Sequence, residues 1–298
     1  METIYIQHPI SDSVKRRMES CVIALGFFDG VHKGHQGIMQ TAKEIAKRKQ
    51  LTFAVMTFYP HPRDVVNPNQ APMKYLTPLP IKEERFEQMG VEKLFVVKFD
   101  SHFASLSPED FVNQYIIGLQ GKHVVAGFDY HYGHKGKGNM EILAGEGMGK
   151  FTVTTVKKIE HSQKKISSSV IRQLLSNGKV NAIPAYLGDF FEVRGEVIQT
   201  SLYYKNNQFL KIAIDQDFMT PKSGVYKVLI EIENKIYQGV CHQITLKDNQ
   251  RSLLVHLPNC FIDTSHKQVK VKWQQYIFGK QKEVYDMSQY FICDELVI

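Results

Sequence analysis

Short apolar segments rich in β-branched and aromatic residues recur through the first half of the chain, separated by polar or Gly/Pro segments. Continuous apolar runs of this length are typical of strands that are buried on both faces, as in a parallel sheet. The predicted strands are Cys21–Leu25, Leu51–Phe58, Lys93–Phe99, His123–Asp129 and Phe151–Val156. Their spacing leaves room for helices between successive strands.

Helical patterns lie between these strands. Gln36–Lys49 carries apolar residues on one face, and Ser107-Pro108 combines a capping serine with a proline at the first helical position. A later helix is predicted from Ser167 towards Asn177-Gly178. The β-α-β-α-β order predicts an α/β fold with a mainly parallel sheet, helices on both faces, and ligands bound beyond the carboxyl ends of the strands.

From residue 190 onward, predicted strands follow one another at short intervals without helices between them. These strands are Phe190–Gln199, Phe209–Asp215, Gly224–Glu231, Lys235–Cys241, Ser252–Leu257 and Val269–Trp273. The pattern is typical of a small antiparallel β-barrel. We therefore predict two domains, 1–187 and 188–298, with a closing helix at Gln281–Glu295.

The composition limits the class of protein but does not indicate a function. At 298 residues and 43% hydrophobic content the chain is long enough for two domains. Its formal net charge of +7 suits nucleotides but would equally suit a nucleic acid. The four cysteines form no Cys-x-x-Cys pair, so neither a disulfide framework nor a zinc site is predicted. Because no signal segment or long apolar run is found, we expect a cytoplasmic protein without membrane contact.

Three glycines follow the first predicted strand and precede a predicted helix. Gly26, Gly30 and Gly34 permit tight turns and a close approach of the main chain to a phosphate chain. The first free amides of the following helix point at the same anion. The segment therefore predicts a phosphate-binding turn.

His32 and His35 lie in this segment and are three residues apart, which brings both imidazoles to one side of a helical turn. Two N–H donors at one phosphate suit attack on a nucleotide α-phosphate, where charge grows on the non-bridging oxygens. Two other interpretations are open. A zinc site would need a third Cys or carboxylate ligand nearby, and two surface histidines would need no function.

Four ordered segments carry a resemblance to a known family. They read Gly26-Phe27-Phe28-Asp29-Gly30-Val31-His32-Lys33-Gly34-His35-Gln36, Thr57-Phe58-Tyr59-Pro60-His61-Pro62, Gly127-Phe128-Asp129-Tyr130-His131-Tyr132-Gly133 and Ile166-Ser167-Ser168-Ser169-Val170-Ile171-Arg172. In them the chain resembles the bacterial FAD synthetases of the riboflavin kinase/FMN adenylyltransferase type, within the nucleotidyltransferase superfamily marked by His-x-Gly-His. The third segment departs from the family pattern by tyrosines in place of phenylalanines.

The resemblance implies a role for each matching residue, and no protein cage for a metal. The expected catalytic residues are His32 and His35. The residues expected to bind ATP and its phosphates are Gly26, Phe28, Asp29, Gly30, Gly34, His61, Ser167, Ser168 and Arg172. The residues expected to bind flavin are Phe58, Asp129, Tyr130 and Tyr132. Without the resemblance, the last three segments have plainer interpretations as a turn, a solvated strand end and a capped helix.

The resemblance also implies the reaction: ATP and FMN give FAD and pyrophosphate, with a divalent metal, usually Mg²⁺, on the phosphates. The FMN phosphate oxygen would attack the α-phosphorus in line, so catalysis would rest on positioning and charge stabilisation. The implied fold is a Rossmann-like nucleotidyltransferase domain with a parallel sheet, followed by a β-barrel of the riboflavin kinase type.

The barrel sequence departs from the kinase pattern of the family. The family's glycine-rich stretch ending in Gly-x-Pro-Thr-Ala-Asn is missing, and no glycine lies between Gly195 and Gly224. A main-chain phosphate cradle is difficult to build without glycine. The family's glutamate base aligns with Leu254, which cannot accept a proton. We therefore predict an FAD synthetase without riboflavin kinase activity.

Three alternatives remain open. The first is a bifunctional riboflavin kinase/FAD synthetase whose kinase motifs have diverged. The second is a related nucleotidyltransferase acting on another phosphate, and the third is a flavin-sensing regulatory protein that contacts RNA or protein through barrel lysines. Those lysines are Lys222, Lys227, Lys267, Lys270, Lys272 and Lys280. A scattered lysine set is more often a solvated face, so we expect no nucleic acid partner, and the oligomeric state is not predicted.

Overall fold

The computed structural model describes residues 1–203, 207–245, 251–258, 264 and 266–279. It divides into two compact units, Met1–Ser168 and Ser169–Ile298. The predicted domain boundary after residue 187 stays a prediction.

The first unit is built around a six-stranded sheet. Its strands and a short hairpin are β1 Glu2–Ile6, β2 Cys21–Leu25, β3 Thr52–Tyr59, β4 Lys93–Lys98, β5 Gly121–Gly127, β6 Thr152–Val156, β7 Glu160–His161 and β8 Lys164–Lys165. The sheet order is β1-β4-β3-β2-β5-β6, and every neighbouring pair is parallel. The predicted α/β class is therefore confirmed.

Helices connect the strands and flank the sheet. In the first unit they are α1 Asp12–Arg16, α2 Lys33–Lys49, α3 Pro62–Val66, α4 Leu79–Gln88, α5 Ser101–Ala104, α6 Pro108–Phe111 and α7 Met140–Glu146, with a π-helical turn at Val112–Ile117 and a 3-10 turn at His134–Gly136. Helices α8 Ser168–Ser176 and α9 Pro184–Leu187 and a 3-10 turn at Val180–Ala182 open the second unit. Helix α6 begins after Ser107, whose hydroxyl accepts the N–H of Asp110, as the sequence predicts. Helix α2 ends at Lys49, and its C-cap residue Gln50 adopts a left-handed conformation.

Two apolar layers cover the two faces of the sheet. Ile23 and Leu25 contribute to one layer, whereas Val22 and Ala24 on the same strand contribute to the other. Successive side chains of a strand point to opposite faces, so a strand covered on both sides needs a continuous apolar run. This requirement explains why the central strands can be predicted from the sequence.

Strand β1 is missing from the sequence prediction. It lies at the edge of the sheet, pairs only with β4 among the described strands, and buries only its last residue, Ile6. A half-covered edge strand carries no continuous apolar run and therefore gives a weak signal. Strand β5 also ends earlier than predicted, at Gly127, so Asp129 lies in the loop that follows.

The second unit contains a closed antiparallel barrel. Its strands are β9 Phe191–Tyr203, β10 Asn207–Ile214, β11 Val225–Ile232, β12 Lys235–Thr245, β13 Arg251–Leu257 and β14 Gln268–Phe278, in the order β10-β13-β12-β11-β14-β9. Alternate residues such as Leu210, Ile212 and Ile214 are buried. The predicted barrel is confirmed, whereas the predicted helix at Gln281–Glu295 lies outside the described residues.

A buried histidine links β5 to the edge strand β6. The two ring nitrogens of His123 lie 2.5 Å from Thr152 Oγ1 and 2.9 Å from Thr154 Oγ1. Burial, followed by the charges of Lys49 and Arg48, lowers the pKa of His123 to about 4. The unfolded chain therefore binds more protons than the folded chain between about pH 6.5 and about pH 4.

We expect the free energy of unfolding to fall as the pH is lowered from about 6.5 towards about 4, because protonating His123 favours the unfolded chain. Chemical unfolding at a series of pH values measures this slope. His123→Asn should flatten it, whereas His102→Asn, at an exposed position, should leave it unchanged. An unaltered slope in His123→Asn would contradict the assignment.

Candidate active site

The candidate site lies where the strand order of the parallel sheet reverses. From β2 the chain continues to β3 and β4 on one side, whereas β5 and β6 lie on the other side. Parallel sheets form a ligand crevice at such a point, beyond the carboxyl ends of the two diverging strands. The segment Gly26–Gly34 follows β2, and Asp129 follows β5, so both border this crevice.

His32 starts helix α2. It is the N-cap residue, and its Nδ1 accepts the main-chain N–H of His35 at 3.2 Å. Because Nδ1 acts as the acceptor, the proton of the neutral ring resides on Nε2. The cap therefore fixes both the start of the helix and the one N–H that His32 can donate.

The two imidazoles stack on each other. Their ring centroids are 3.5 Å apart and their planes differ by 19°. The edge of Phe28 meets His35 at a centroid distance of 5.2 Å. The structure thus brings His32 and His35 together, as their spacing predicts, while their catalytic role stays a prediction.

Both histidines are held in the neutral form. Burial and, less strongly, the charge of Lys165 lower the pKa of His32 to about 4, although a main-chain hydrogen bond and the charge of Asp129 oppose these effects. Burial also lowers the pKa of His35 well below its usual range, assisted by His32 and Lys82. His35 Nδ1 is buried without a hydrogen-bond partner among the described residues. The pair therefore offers neutral imidazoles rather than cations.

The turn before the histidines is shaped by Phe28. Its side chain is 1% exposed, and its φ is 57°, a left-handed value that non-glycine residues seldom adopt. A Cβ on Gly26 would lie 2.7 Å from the Phe28 ring, and a Cβ on Gly34 would lie 3.0 Å from the His32 ring. These two glycines leave space for aromatic rings. Gly26 and Phe28 therefore support the shape of the turn, while Gly30, with φ of 87°, makes the turn itself. The phosphate contacts predicted for these residues stay predictions.

Asp29 is buried and hydrogen-bonded to residues far along the chain. The residue is 3% exposed, and its carboxylate accepts the main-chain N–H groups of Leu76 at 3.2 Å and Thr77 at 3.0 Å. Its main-chain carbonyl accepts the Ser168 hydroxyl at 2.7 Å. A carboxylate held by amides fastens the turn to the segment before α4, and its negative charge would repel phosphate. Asp29 therefore supports the turn, and the phosphate contact predicted for it stays a prediction.

The other predicted phosphate residues lie on separate elements. His61 caps α3, its Nδ1 accepts the N–H of Arg63 at 3.0 Å, and its ring meets Phe27 edge-on at 4.4 Å. Ser167 precedes α8 in the first unit. Arg172 belongs to the second unit, where its guanidinium lies 3.5 Å from Met219 Sδ. His61 therefore borders the glycine turn, whereas the phosphate roles of Ser167, Ser168 and Arg172 stay predictions.

The predicted flavin residues separate into buried and exposed pairs. Phe58 is 6% exposed and packs 5.6 Å from Phe103, and Tyr132 is 5% exposed with its hydroxyl donated to Glu146 at 2.8 Å. Protein covers both rings, and the flavin contacts predicted for them stay predictions. Tyr130 is partly exposed and stacks on Tyr132, and exposed Asp129 forms an ion pair with Lys165.

Lys82 is the residue near the turn that sequence reasoning missed. It lies on α4, is 1% exposed, and donates from Nζ to the Phe27 carbonyl at 3.1 Å and to Thr57 Oγ1 at 3.3 Å. Burial lowers its pKa to about 8. One signal was available: Lys82 falls on the apolar face of its helix, one turn before buried Phe86.

No group of three His, Cys, Asp or Glu side chains in the described part of the chain is placed to hold a metal ion. Within the same residues, no helix combines the length and the apolar character needed to cross a membrane.

A glycine turn, two neutral stacked histidines and a helix start at the reversal point of a parallel sheet define a nucleotidyltransferase domain. Family models agree: one described as FAD synthetase matches residues 14–170, and one described as riboflavin kinase matches residues 187–286. The chain belongs to the riboflavin kinase/FMN adenylyltransferase family.

Relatives cover nearly the whole chain. The bifunctional riboflavin kinase/FMN adenylyltransferase of Bacillus subtilis is 40% identical over 95% of this chain and 92% of its own length. The protein of the same name from Listeria monocytogenes is 39% identical over 93% and 90%. The crystal structure of a macrolide-efflux protein from Streptococcus pneumoniae matches with a TM-score of 0.82 at 27% identity, covering 99% of this chain and 98% of its own. These comparisons do not support the predicted degenerate kinase domain.

Gly26→Ala tests the support of the turn. Its Cβ would lie 2.7 Å from the Phe28 ring, so the ring must move. Overpacking of this kind costs about 1–3 kcal/mol, and we expect a comparable loss in the free energy of unfolding. Gly145→Ala in α7 is the matched control, because a Cβ there meets nothing within 4 Å. Equal stability of the two variants in chemical unfolding would contradict this role of Gly26.

Proposed function

We propose that the first unit transfers the AMP group of ATP to FMN, which yields FAD and pyrophosphate. The observation that best supports this proposal is the pair of neutral, stacked imidazoles of His32 and His35 at the point where the strand order reverses. The names of the relatives and the FAD synthetase family model support the same reaction.

In this proposal an oxygen of the FMN phosphate attacks the α-phosphorus of ATP, and the bond to the bridging oxygen of pyrophosphate breaks. No protein nucleophile takes part. The Nε2–H of His32, whose direction the N-cap fixes, donates to a non-bridging oxygen of the α-phosphate as its charge grows. His35 and the free amides at the start of α2 complete the same anion-binding surface.

His61 borders the turn through Phe27 and is proposed to contact the phosphates from the side of β3. Tyr130 and Asp129 are the proposed flavin contacts that keep an exposed surface. Mg²⁺ would neutralise the phosphate oxygens of ATP when bound with it. We assign it no protein ligands.

For the barrel, the comparisons favour the bifunctional alternative over the single function predicted from the sequence. The riboflavin kinase family model spans residues 187–286, and relatives at about 40% identity carry both activities in their names. We therefore propose riboflavin kinase as a second activity of this chain, with riboflavin and ATP as its substrates.

One observation keeps the single-function enzyme as the second candidate. Leu254, which aligns with the family's glutamate base, is 1% exposed and pairs with Lys211 and His242 in the barrel sheet. A leucine has no group that can accept a proton from riboflavin. The missing glycines between Gly195 and Gly224 point in the same direction.

His32→Ala and His35→Ala test the adenylyl transfer. Each removes an imidazole from the α-phosphate site, and we expect kcat/KM for FAD formation from FMN to fall by about 10²–10³-fold. Chromatographic separation of the flavins measures the product. His102→Ala, at an exposed position on α5, is the control and should retain full activity. Near-normal turnover in both site variants would refute the mechanism.

Riboflavin supplied with ATP and magnesium tests the second activity. In His35→Ala, FMN made by the barrel would accumulate, because its conversion to FAD is blocked. We expect FMN to appear, as the comparisons indicate. Unchanged riboflavin, from a preparation whose wild-type form converts FMN to FAD, would instead establish the single-function enzyme.

A further inference from the structure

A buried lysine lies against the turn that precedes the two histidines. Lys82 Nζ donates to the main-chain carbonyl of Phe27 at 3.1 Å and lies 4.4 Å from the centroid of the Phe27 ring. Thr57 Oγ1 donates to the same carbonyl at 2.9 Å and also accepts from Lys82 at 3.3 Å. Lys82, Thr57 and the Phe27 carbonyl therefore form a closed hydrogen-bonded triangle, which we call the lysine triangle.

The position of the lysine triangle connects it to the candidate site. Phe27 is the second residue of the glycine turn, and its side chain meets the ring of His61. Arg85, three residues after Lys82 on the same helix, lies 3.4 Å from the Gly30 carbonyl. Two cationic side chains of α4 thus hold two carbonyls of the turn, and a shift of Lys82 would move the main chain that leads to His32.

The charge of Lys82 has little compensation. In the described part of the chain no carboxylate forms an ion pair with it, although Asp29 and Glu83 contribute attraction from a distance. Both carboxylate oxygens of Asp29 accept main-chain amides instead. Arg85 adds positive charge from α4, and the neighbouring His35 of α2 is neutral. Burying an ammonium whose only partners are a carbonyl, a hydroxyl and an aromatic ring costs free energy, and the charge of a bound anion offsets this cost.

We propose that Lys82 is a positioning residue for adenylyl transfer, whose ammonium fixes the Phe27 carbonyl and whose buried charge is completed by the triphosphate of bound ATP. This inference rests on the proposed function. It assigns to Lys82 no contact with the reacting atoms. Lys82 acts on the reacting atoms because it holds the main chain of the turn and because its charge contributes to the electric field at the site.

The proposal has a consequence for the pH dependence. Burial places the pKa of Lys82 at about 8 in the free protein, so the ammonium loses its proton as the pH rises through this value. The anionic triphosphate favours the charged form. Nucleotide binding near about pH 8 should therefore take up a proton, and kcat/KM should fall as the pH rises above about 8.

Three variants test the proposed role of Lys82. Lys82→Arg keeps the charge at all accessible pH values, Lys82→Met removes it, and Lys43→Met is the control. Lys43 is an exposed lysine of α2 whose Nζ also donates to a main-chain carbonyl, that of Met89. FAD formation is measured as a pH profile of kcat/KM. Calorimetric titration with α,β-methylene-ATP, in buffers of different ionisation enthalpy, counts the protons taken up.

We expect the wild type and Lys43→Met to lose about tenfold in kcat/KM per pH unit above about 8 and to take up a proton on binding the analogue near that pH. Lys82→Arg should lose this alkaline decline, and Lys82→Met should be less active at every pH, without proton uptake. If Lys82→Met does not fold, the comparison of the wild type with Lys82→Arg still tests the proposal.

Wild-type alkaline decline and proton uptake that persist in either Lys82 variant would overturn the proposal, while FAD formation itself would leave the proposed function intact. A wild type that binds the analogue with proton uptake, and forms no FAD from FMN, would instead refute the proposed function. In that case Lys82 would be assigned to nucleotide binding alone, and its role in adenylyl transfer would be rejected.

Discussion

One hydrogen bond organises the candidate site: the main-chain N–H of His35 donates to Nδ1 of His32 at 3.2 Å. This bond caps helix α2, places the ring proton of His32 on Nε2, and sets the two imidazoles in a stack. A helix that starts beyond a buried parallel strand also directs its free amides into the crevice where the strand order reverses. The side chain that caps the helix is therefore the same one that is proposed to act on phosphate.

Contacts with several other segments hold the glycine turn that precedes this hydrogen bond. Phe28 turns inward in a left-handed conformation against Gly26. Asp29 binds the amides of Leu76 and Thr77, and α4 supplies Lys82 to the Phe27 carbonyl. Strained backbone persists where surrounding contacts over-determine it. Several family motif residues thus stabilise the shape of the glycine turn.

The two units illustrate different relations between fold and function. In the first unit the fold, the turn and the histidines all support one reaction. In the second, the riboflavin kinase family model and the closed barrel agree, whereas the kinase motifs expected from the family are not matched at Leu254 and in the glycine-free stretch. A fold is set by the alternation of buried side chains, and chemistry is set by a few particular groups, so the two can diverge.

The sequence by itself determined the α/β class, the barrel, the central strands and the proximity of His32 and His35. Each of these follows from periodicity or from spacing within a single element, which neighbouring residues in the chain specify. Only the tertiary structure decided that Phe58 and Tyr132 are covered, that Asp29 binds amides, that β1 joins the sheet, and that Lys82 lies against Phe27. These facts depend on contacts between elements far apart in the chain, and the burial and partners of a side chain are set by whatever packs against it.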